Sequence, residues 1–520
     1  MFNRTVVKQD ILFSTNLIHF FDGKSVLQRI GKKLTESYRQ LNNNIDHNTF
    51  VIPGSNGQWK TKKDDPDYSA SEFIPKLLSG GKSMTLYEIM REIDDYTEFS
   101  TFFKHFQTKH SKKNIDNKLL YAVLMSLGTN IGHNDMDKAT NSKHITTKKL
   151  RDTEKLWLSE SNLEKANAAI VNFIQNLPLP TIYNDHNDLL HTSSDGKKLV
   201  VAVDSLLANY SYKYYGKEQG VTVNSFVDTS QSFFHVNVLT SSDREAAYMM
   251  DGIVKTKANH FNERNDDIDD QLFGNPKHST DTHGYTDAIF AGLHFLDVSF
   301  APRLTDLPNR ALFAYDSKSL LKNSNYKVGP RQQINRKLIL ENWDDILRLM
   351  ATIKSGKQSA SLIFRRLAAS KKASNVYKAM KGLGQLIKSN FIANYLQDEE
   401  LRRSIQKQLN RAELGQKFSS ALFFGRKGQL VVGSEESIQK TMLCKTILKN
   451  IVILWNYLFL SDHIISLRDD NDTDHILDSI SEGSVISWRH INMHGIYDFD
   501  HKPIKSFKAS IKQIKNLKVK

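Results

Sequence analysis

Apolar residues recur at helical spacing along most of the chain, and the places where that period breaks mark its organisation. SVLQRIGKKLTESYRQL (25–41) carries the helical pattern near the N-terminus. VIPGSNGQWKTKKDDPDYSAS (51–71) is dense in turn formers and charge, which predicts a linker or long loop. From 84 to 190 the helical period returns in MTLYEIMREIDDYTEFSTFFKHF, KLLYAVLMSLGTNIG and SNLEKANAAIVNFIQNL. The last of these is expected to open at a Ser161 cap, with Glu164 three residues on. At 191 the period shortens. KLVVAV (198–203), VTVNSFV (221–227) and FFHVNVL (233–239) are β-branched or aromatic runs between turn residues and predict strands. SSDREAAYMMDGIVKT then predicts a helix with a Ser/Asp start, HSTDTHG (278–284) a short strand ending in a Gly turn, and DAIFAGLHFL a helix. VSFAPRL predicts an extended run stopped by Pro302.

Three hairpin-compatible strands followed by alternating helix and strand is the RNase H-like layout. Residues 330–410 return to helix. The tail HKPIKSFKASIKQIKNLKVK (501–520) holds seven lysines and no acid, with Ile504, Phe507, Ile511 and Ile514 on one helical face.

At 520 residues the chain exceeds one compact core, so two to four domains are expected. Its 71 Lys+Arg against 57 Asp+Glu give a net charge of +14, which favours a polyanionic partner. The single cysteine, Cys444, excludes an internal disulfide and a Cys-based zinc site. MFNRTVVKQD is charged too early for a signal peptide. IVILWNYLFL (451–460) is broken by Asn456 and too short to span a bilayer, so it predicts a buried helix in a soluble, intracellular protein.

SGGKS (79–83) lacks the first glycine of a phosphate loop and is expected to be a plain turn. The acidic NERNDDIDD (262–270) is expected to be a solvated loop. The carboxylates around the strands have more to offer. In an RNase H-like sheet the first strand, the end of the fourth strand and a later helix each bring one carboxylate to a common point. Hard oxygen ligands of that kind suit Mg²⁺ or Mn²⁺. By position alone the first-strand candidates are Asp195 and Asp204, and the apolar run before Asp204 makes it the more strand-like. The fourth-strand candidates are Asp281 and then Asp287. The helical candidate lies among Asp398, Glu399, Glu400 and Glu413.

Nine motifs follow one another in order: SSDGK (193–197), SSDREAAYMMDGIV, TDTHGYTD (280–287), FAPRLTDL, ENWDDILRLMATIKSGKQSASLIFRRL, DEELRRSIQKQLNRAE (398–413), LFFGRKGQL (422–430), ILWNYLFL and WRHINMHGIYDF (488–499). Together they resemble the catalytic half of the bacterial Tn-three-family transposases, over roughly residues 85–500. The resemblance implies a DDE transposase that cleaves DNA at transposon ends and transfers the 3′-hydroxyls to target DNA in replicative transposition. It also implies an Asp, Asp, Glu triad. The first Asp, in the SSDG motif, is Asp195, and Asp204 becomes a strand-end or turn residue. The second opens the DTxG motif and is Asp281. The Glu, after the LN dipeptide, is Glu413. These three would ligate two Mg²⁺, with Mn²⁺ an acceptable substitute. His283 stands where the family has a small residue, the stretch around NDDIDD is an untypical insert, and HGIY replaces a Thr-Gly-Asp-Tyr-like ending.

The resulting expectation is a mixed α/β protein. An N-terminal region of unassigned role (1–84) precedes a helical domain (85–190) and the first part of an RNase H-like core (191–310). A helical insertion (311–394), a core helix carrying the catalytic Glu (395–430), a helical C-terminal region (431–500) and a basic tail (501–520) follow. Family members are about twice as long, and their N-terminal half reads the inverted repeats. DNA ends and target, a second copy as a homodimer on DNA, and a separate polypeptide supplying end recognition are the expected partners, with no membrane. The expected location is the bacterial cytoplasm, at the nucleoid. The alternative is a truncated, non-catalytic DNA-binding remnant or accessory subunit.

Overall fold

The computed structural model describes residues 5–54, 58–62, 72–80, 83–105, 114–184, 190–241, 245–260, 276–281, 285–322, 325–369, 374–467, 470–501 and 506–519. The acidic stretch 262–270, His283, Ile504 and the 63–71 run lie outside them. In chain order, the elements used below begin with α1 (Gly23–Asn43), α2 (Leu86–Thr97), α3 (Asn117–Gly128) and α4 (Glu160–Gln175). Strands β1 (His191–Val201), β2 (Asn209–Tyr210), β3 (Gln219–Val227) and β4 (Phe233–Thr240) follow, then α5 (Glu245–His260), β5 (Lys277–Ser279), α6 (Asp287–Phe295) and β6 (Ser299–Phe300). The remainder is α7 (Trp343–Lys354), α8 (Asn375–Gln397), α9 (Glu399–Leu422), α10 (Glu435–Ser466) and α11 (Ile511–Lys515). The protein is mixed α/β with helix predominating. It divides into two compact units, Met1–Asp67 with Arg244–Leu409, and Tyr68–Asp243 with Asn410–Lys520.

In the first unit α1 packs on α8, and its glycines allow the approach of large rings: a Cβ on Gly23 would lie 2.5 Å from Trp343 and one on Gly31 2.5 Å from Tyr315. The Asp22 carboxylate caps α1 by accepting from the Lys24 amide. The Trp343 indole donates to the Phe20 carbonyl at 2.9 Å, fastening the N-terminal segment to α7. Part of the expected linker is instead a small hairpin, with Val51 opposite Thr61 and Pro53 opposite Trp59. Buried Val51 and Trp59 supply the apolar anchor that a reading of the turn formers overlooks. β5 and β6 run parallel, with Lys277 opposite Ser299 and His278 opposite Phe300, and α6 connects them.

The second unit is built around α10, buried on every side and packed by α3, α4 and β4. By length and composition α10 could cross a membrane, but 94% of its apolar window is covered by protein, as expected of a core helix. β1, β3 and β4 form an antiparallel meander in which β3 lies between the other two. α4 is capped by Ser159, accepting from the Asn162 amide, rather than by Ser161. The tail docks here through buried Phe507 and Ile514, while the Lys508 and Ala509 amides donate to Asp462. Of the helical face expected in the tail, the described residues carry helix only in α11, and the Asp462 contacts lie at the bend before it.

A candidate carboxylate site

Asp195 lies within β1, opposite Ser225 of β3, and not before the strand as its polar neighbours led the pattern to predict. The strand begins at His191, so HTSSDGKK pairs with β3 although it is mostly polar; ladder hydrogen bonds need backbone groups, not apolar side chains. Asp204 stands exposed beyond the end of β1. Its carbonyl would lie 2.2 Å from a Cβ on Gly433, so that glycine permits the chain to pass.

Glu413 sits on the second half of α9, exposed, with Lys417 at 3.3 Å on the next turn. That pair is solvated and weak, which leaves the carboxylate available to a stronger cation. Gln416, one turn along from Glu413, donates to the backbone carbonyl of Asp195 at 3.2 Å. Lys197 donates to Ser420 one turn further on. Positions 413, 416 and 420 share a helical face, so this part of α9 is tied to the Asp195 stretch of β1. The exit from α9 returns to the same strand: Leu430 donates to the Val200 carbonyl at 2.9 Å, and the Ala202 amide donates to the Leu430 carbonyl at 2.7 Å. Between them, Arg426 and Lys427 have left-handed φ of 51° and 55°. Asn130 holds this turn by donating to the Gly425 and Gln429 carbonyls. A Cβ on Gly425 would lie 2.3 Å from Asn130, so only glycine fits. The LGTNIG and FFGRKGQ motifs thus meet and brace the strand–helix pair.

In the first unit, Asp281 follows β5, whose His278 and Ser279 are fully buried. Burial pushes the His278 imidazole down to about 3, so it is neutral. The Arg303 amide donates to Thr280 at 2.9 Å and fixes the strand end just before Asp281. Asp287, the second candidate, is occupied: Lys388 donates to it at 2.5 Å and Gln385 at 3.2 Å, tying α6 to α8. Asp398 accepts from the Leu401 amide at the start of α9, and Glu399 pairs with Arg403 at 2.6 Å; Glu400 is exposed. The geometry therefore brings the strand of Asp195 and the helix of Glu413 together within one unit. Among the described residues no group of three or more His, Cys, Asp or Glu gathers as a metal cluster. The donor set itself, carboxylate oxygens alone, suits Mg²⁺.

Three lysines of the second unit, Lys197, Lys445 and Lys449, escape a reading of motifs. Lys197 shares a face of β1 with Asp195, two residues away. Lys445 and Lys449, one turn apart on α10, are 3% and 1% exposed. Their ammonium groups lie 4.7 Å over the Phe423 ring and 3.4 Å over the Phe233 ring. Burial, helped by Lys197, pushes Lys445 down to about 7, and burial with the neighbouring Lys445 and Lys197 pushes Lys449 well below the usual amine range. Burial also lowers Lys197, against the pull of Asp195. Among the described residues none of the three pairs with a carboxylate at ion-pair distance. Their signal in the sequence is two lysines four apart inside a long, buried helix.

One other constellation imitates a catalytic triad. Ser126, His133 and Glu154 are linked at 2.8 and 2.6 Å. Ser126 is fully buried and donates to Val123, so no substrate reaches its hydroxyl and the group serves packing.

Comparison with known proteins follows the same motifs. The family model described as the Tn3 transposase DDE domain matches residues 88–497. The transposase for transposon Tn1546 of Enterococcus faecium is 30% identical over 453 residues, covering 86% of this chain and 43% of that protein. The transposase for transposon gamma-delta of Escherichia coli is 26% identical, covering 92% of this chain and 47% of its own length. The chain therefore spans less than half the length of these two relatives. Among solved structures, the piggyBac transposase synaptic complex with hairpin DNA overlaps at a TM-score of 0.22 and 11% identity, over 67% of this chain and 87% of that one, too slight to carry an argument.

Proposed function

The chain belongs to the Tn3 transposase family through its DDE domain, and from that premise we propose that it cuts DNA strands at transposon ends and joins their 3′-hydroxyls to target DNA in replicative transposition. Asp195, Asp281 and Glu413 are the carboxylates of an RNase H-like core. The chain order β1, β3, β4, α5, β5, α6, β6 supports that layout: an antiparallel meander, then helix, strand, helix and a strand parallel to the last. The observation that carries the assignment is the Gln416 bond to Asp195, which joins the helix of Glu413 to the strand of Asp195.

Two Mg²⁺ ions, or Mn²⁺, held by those carboxylates would activate the attacking oxygen and stabilise the leaving one. The chain's own contribution is placement. Pairing with β3 fixes Asp195, the Gln416 bond sets the rotation of α9, and the brace of Asn130 on Gly425 keeps α9 from sliding. Lys197 offers an ammonium to a backbone phosphate beside Asp195, and the net positive charge draws DNA in. Recognition of transposon ends, a homodimer on DNA and action at the nucleoid in the cytoplasm belong to the whole protein, with end recognition supplied by sequence beyond this stretch or by a separate polypeptide.

Strand transfer of pre-cleaved ends in Mg²⁺ tests the reading. The wild-type chain should join ends, Asp195→Asn should lose joining altogether, and Asp204→Asn should retain it. Loss in Asp204→Asn with retention in Asp195→Asn would overturn the assignment. A non-catalytic, DNA-binding remnant is the second reading, favoured by the absence of a gathered carboxylate cluster among the described residues. DNA binding with no joining by any variant would support it.

A further inference from the structure

Between β1 and β3 the second unit carries an excursion that neither the fold nor the carboxylates require. Five of the twelve large apolar side chains left exposed among the described residues fall within 203–214 of it: Val203, Leu206, Tyr210, Tyr212 and Tyr214. Scattered exposure needs no explanation, but this concentration in one segment does. The three tyrosines are 75%, 84% and 49% exposed. The segment is nevertheless anchored at its base. Tyr215 is buried and donates to the Val221 carbonyl at 3.1 Å, and its ring packs where a Cβ on Gly220 would lie at 2.3 Å. Gln219 donates to the Val203 carbonyl at 2.7 Å, and Asn209 reaches Thr240. β2 adds its two residues to the edge of β3. The rings are thus presented outward from a fixed support, which lowers the entropy lost on binding.

Lysines surround them. Lys198 places its ammonium 3.7 Å over the Tyr214 ring, with Lys213 at 5.1 Å from the same centroid, and Lys217 is exposed two residues beyond Tyr215. The acids of the segment are Asp204 and Glu218, the latter accepting from Gln429 at 3.3 Å. Exposed aromatic rings alternating with ammonium groups match a strand of nucleic acid with free base faces: the rings stack the bases and the lysines meet the phosphates. A duplex shows such a surface only its phosphates, because its bases are stacked on one another.

We propose that this platform binds unpaired DNA bases, with Tyr210, Tyr212 and Tyr214 as stacking surfaces and Lys198, Lys213 and Lys217 as phosphate contacts. It rests on the proposed function in that the substrate is DNA opened at a cut. β1 runs from Asp195 to the foot of the platform, about 20 Å along the strand. A cut at the carboxylates would therefore leave a free strand end within reach of the rings.

The test is binding in EDTA, so that a failure of the metal chemistry leaves it untouched. Fluorescence anisotropy would compare a roughly 12-nucleotide oligothymidine with a duplex of the same length. Replacing all three tyrosines by alanine should weaken single-strand binding at least roughly tenfold, with duplex binding changed less than about twofold. The three Tyr→Phe changes should restore the single-strand affinity. Lys198→Gln with Lys213→Gln should weaken both forms and lower the single-strand salt slope by about 1.4, two phosphate contacts. Equal loss on both DNAs, no loss on single strands, or an effect confined to self-association would overturn the proposal. Should the alanine variant unfold, 2-aminopurine fluorescence in the wild-type complex decides: quenching supports stacking, and unquenched emission overturns it.

Discussion

Lys388 in the first unit and the Lys445–Lys449 pair in the second are all buried lysines on long helices, yet they sit in opposite surroundings. Lys388 meets Asp287 at 2.5 Å, so its charge is answered by the protein and ties α8 to α6. Lys445 and Lys449 face aromatic rings, and the charge of Lys197 acts on both. A buried ion pair is a fold device whose breakage leaves a stranded charge, whereas buried amines with no carboxylate partner cost stability in the free protein. The contrast separates Asp287, spent on the fold of the first unit, from Asp195 and Glu413 of the second, which the proposed function assigns to the metal.

The largest effect that would sharpen this comparison is on catalysis. Asp287→Asn should retain strand joining, because its carboxylate is already committed to Lys388, while Glu413→Gln should abolish joining and leave stability within about 0.5 kcal/mol, as for other exposed positions. Joining assays beside urea unfolding check both, and an inactive but fully folded Asp287→Asn chain would break the comparison. Next in size, Lys388→Met should destabilise the chain by about 3 kcal/mol, since Asp287 remains partly buried and loses its partner, and adding Asp287→Asn should recover part of that loss. An unchanged unfolding midpoint for Lys388→Met would show that the pair carries no weight.

Lys449→Met should act in the other direction, raising stability by about 1 kcal/mol at neutral pH by removing an unanswered buried amine. The pH dependence carries the sign. Lys445 titrates near 7 when folded and near 10.5 when unfolded, so in that interval the unfolded chain binds more protons. Stability from this group therefore climbs as pH rises from about 7 to about 10. Lys445→Met should flatten that climb in thermal unfolding between pH 7 and 9.5; a climb of unaltered slope would show that Lys445 is not held in its neutral form. The smallest effect concerns the tail: removing residues 506–519 should lower the salt slope of DNA binding by a few units if its lysines meet phosphates. An identical slope would leave Phe507 and Ile514 as packing residues only.

Much of this was legible in the chain. The helical period located α2, α3, α10 and the helices after 330, because each buries a face, or in α10 every face, against the rest of its unit. β3 and β4 announced themselves by β-branched runs. β1 was half hidden: its second half is apolar, but HTSSDGKK is polar, and hydropathy is blind to a strand defined by backbone pairing. The motif, not the pattern, pointed to Asp195. The hairpin at Val51 was missed because two buried side chains among many turn formers give no period. Position ranks Asp281 before Asp287, but not the commitment of Asp287 to Lys388, because that partner lies a hundred residues further along the chain. The lysines on α10 were invisible for the opposite reason: a charged residue inside an apolar helix reads as a boundary until its burial is seen.

The proposed function makes Asp195, Asp281 and Glu413 ligands of the same metal ions. Iron(II) in place of Mg²⁺, with ascorbate and peroxide, cuts a polypeptide where its ligands lie. On the DNA-bound chain, cleavage is expected at all three stretches, around 195, 281 and 413, with suppression of all three by excess Mg²⁺. Cleavage centred on Asp204 or Asp287, or at one of the three stretches without the other two, would contradict it.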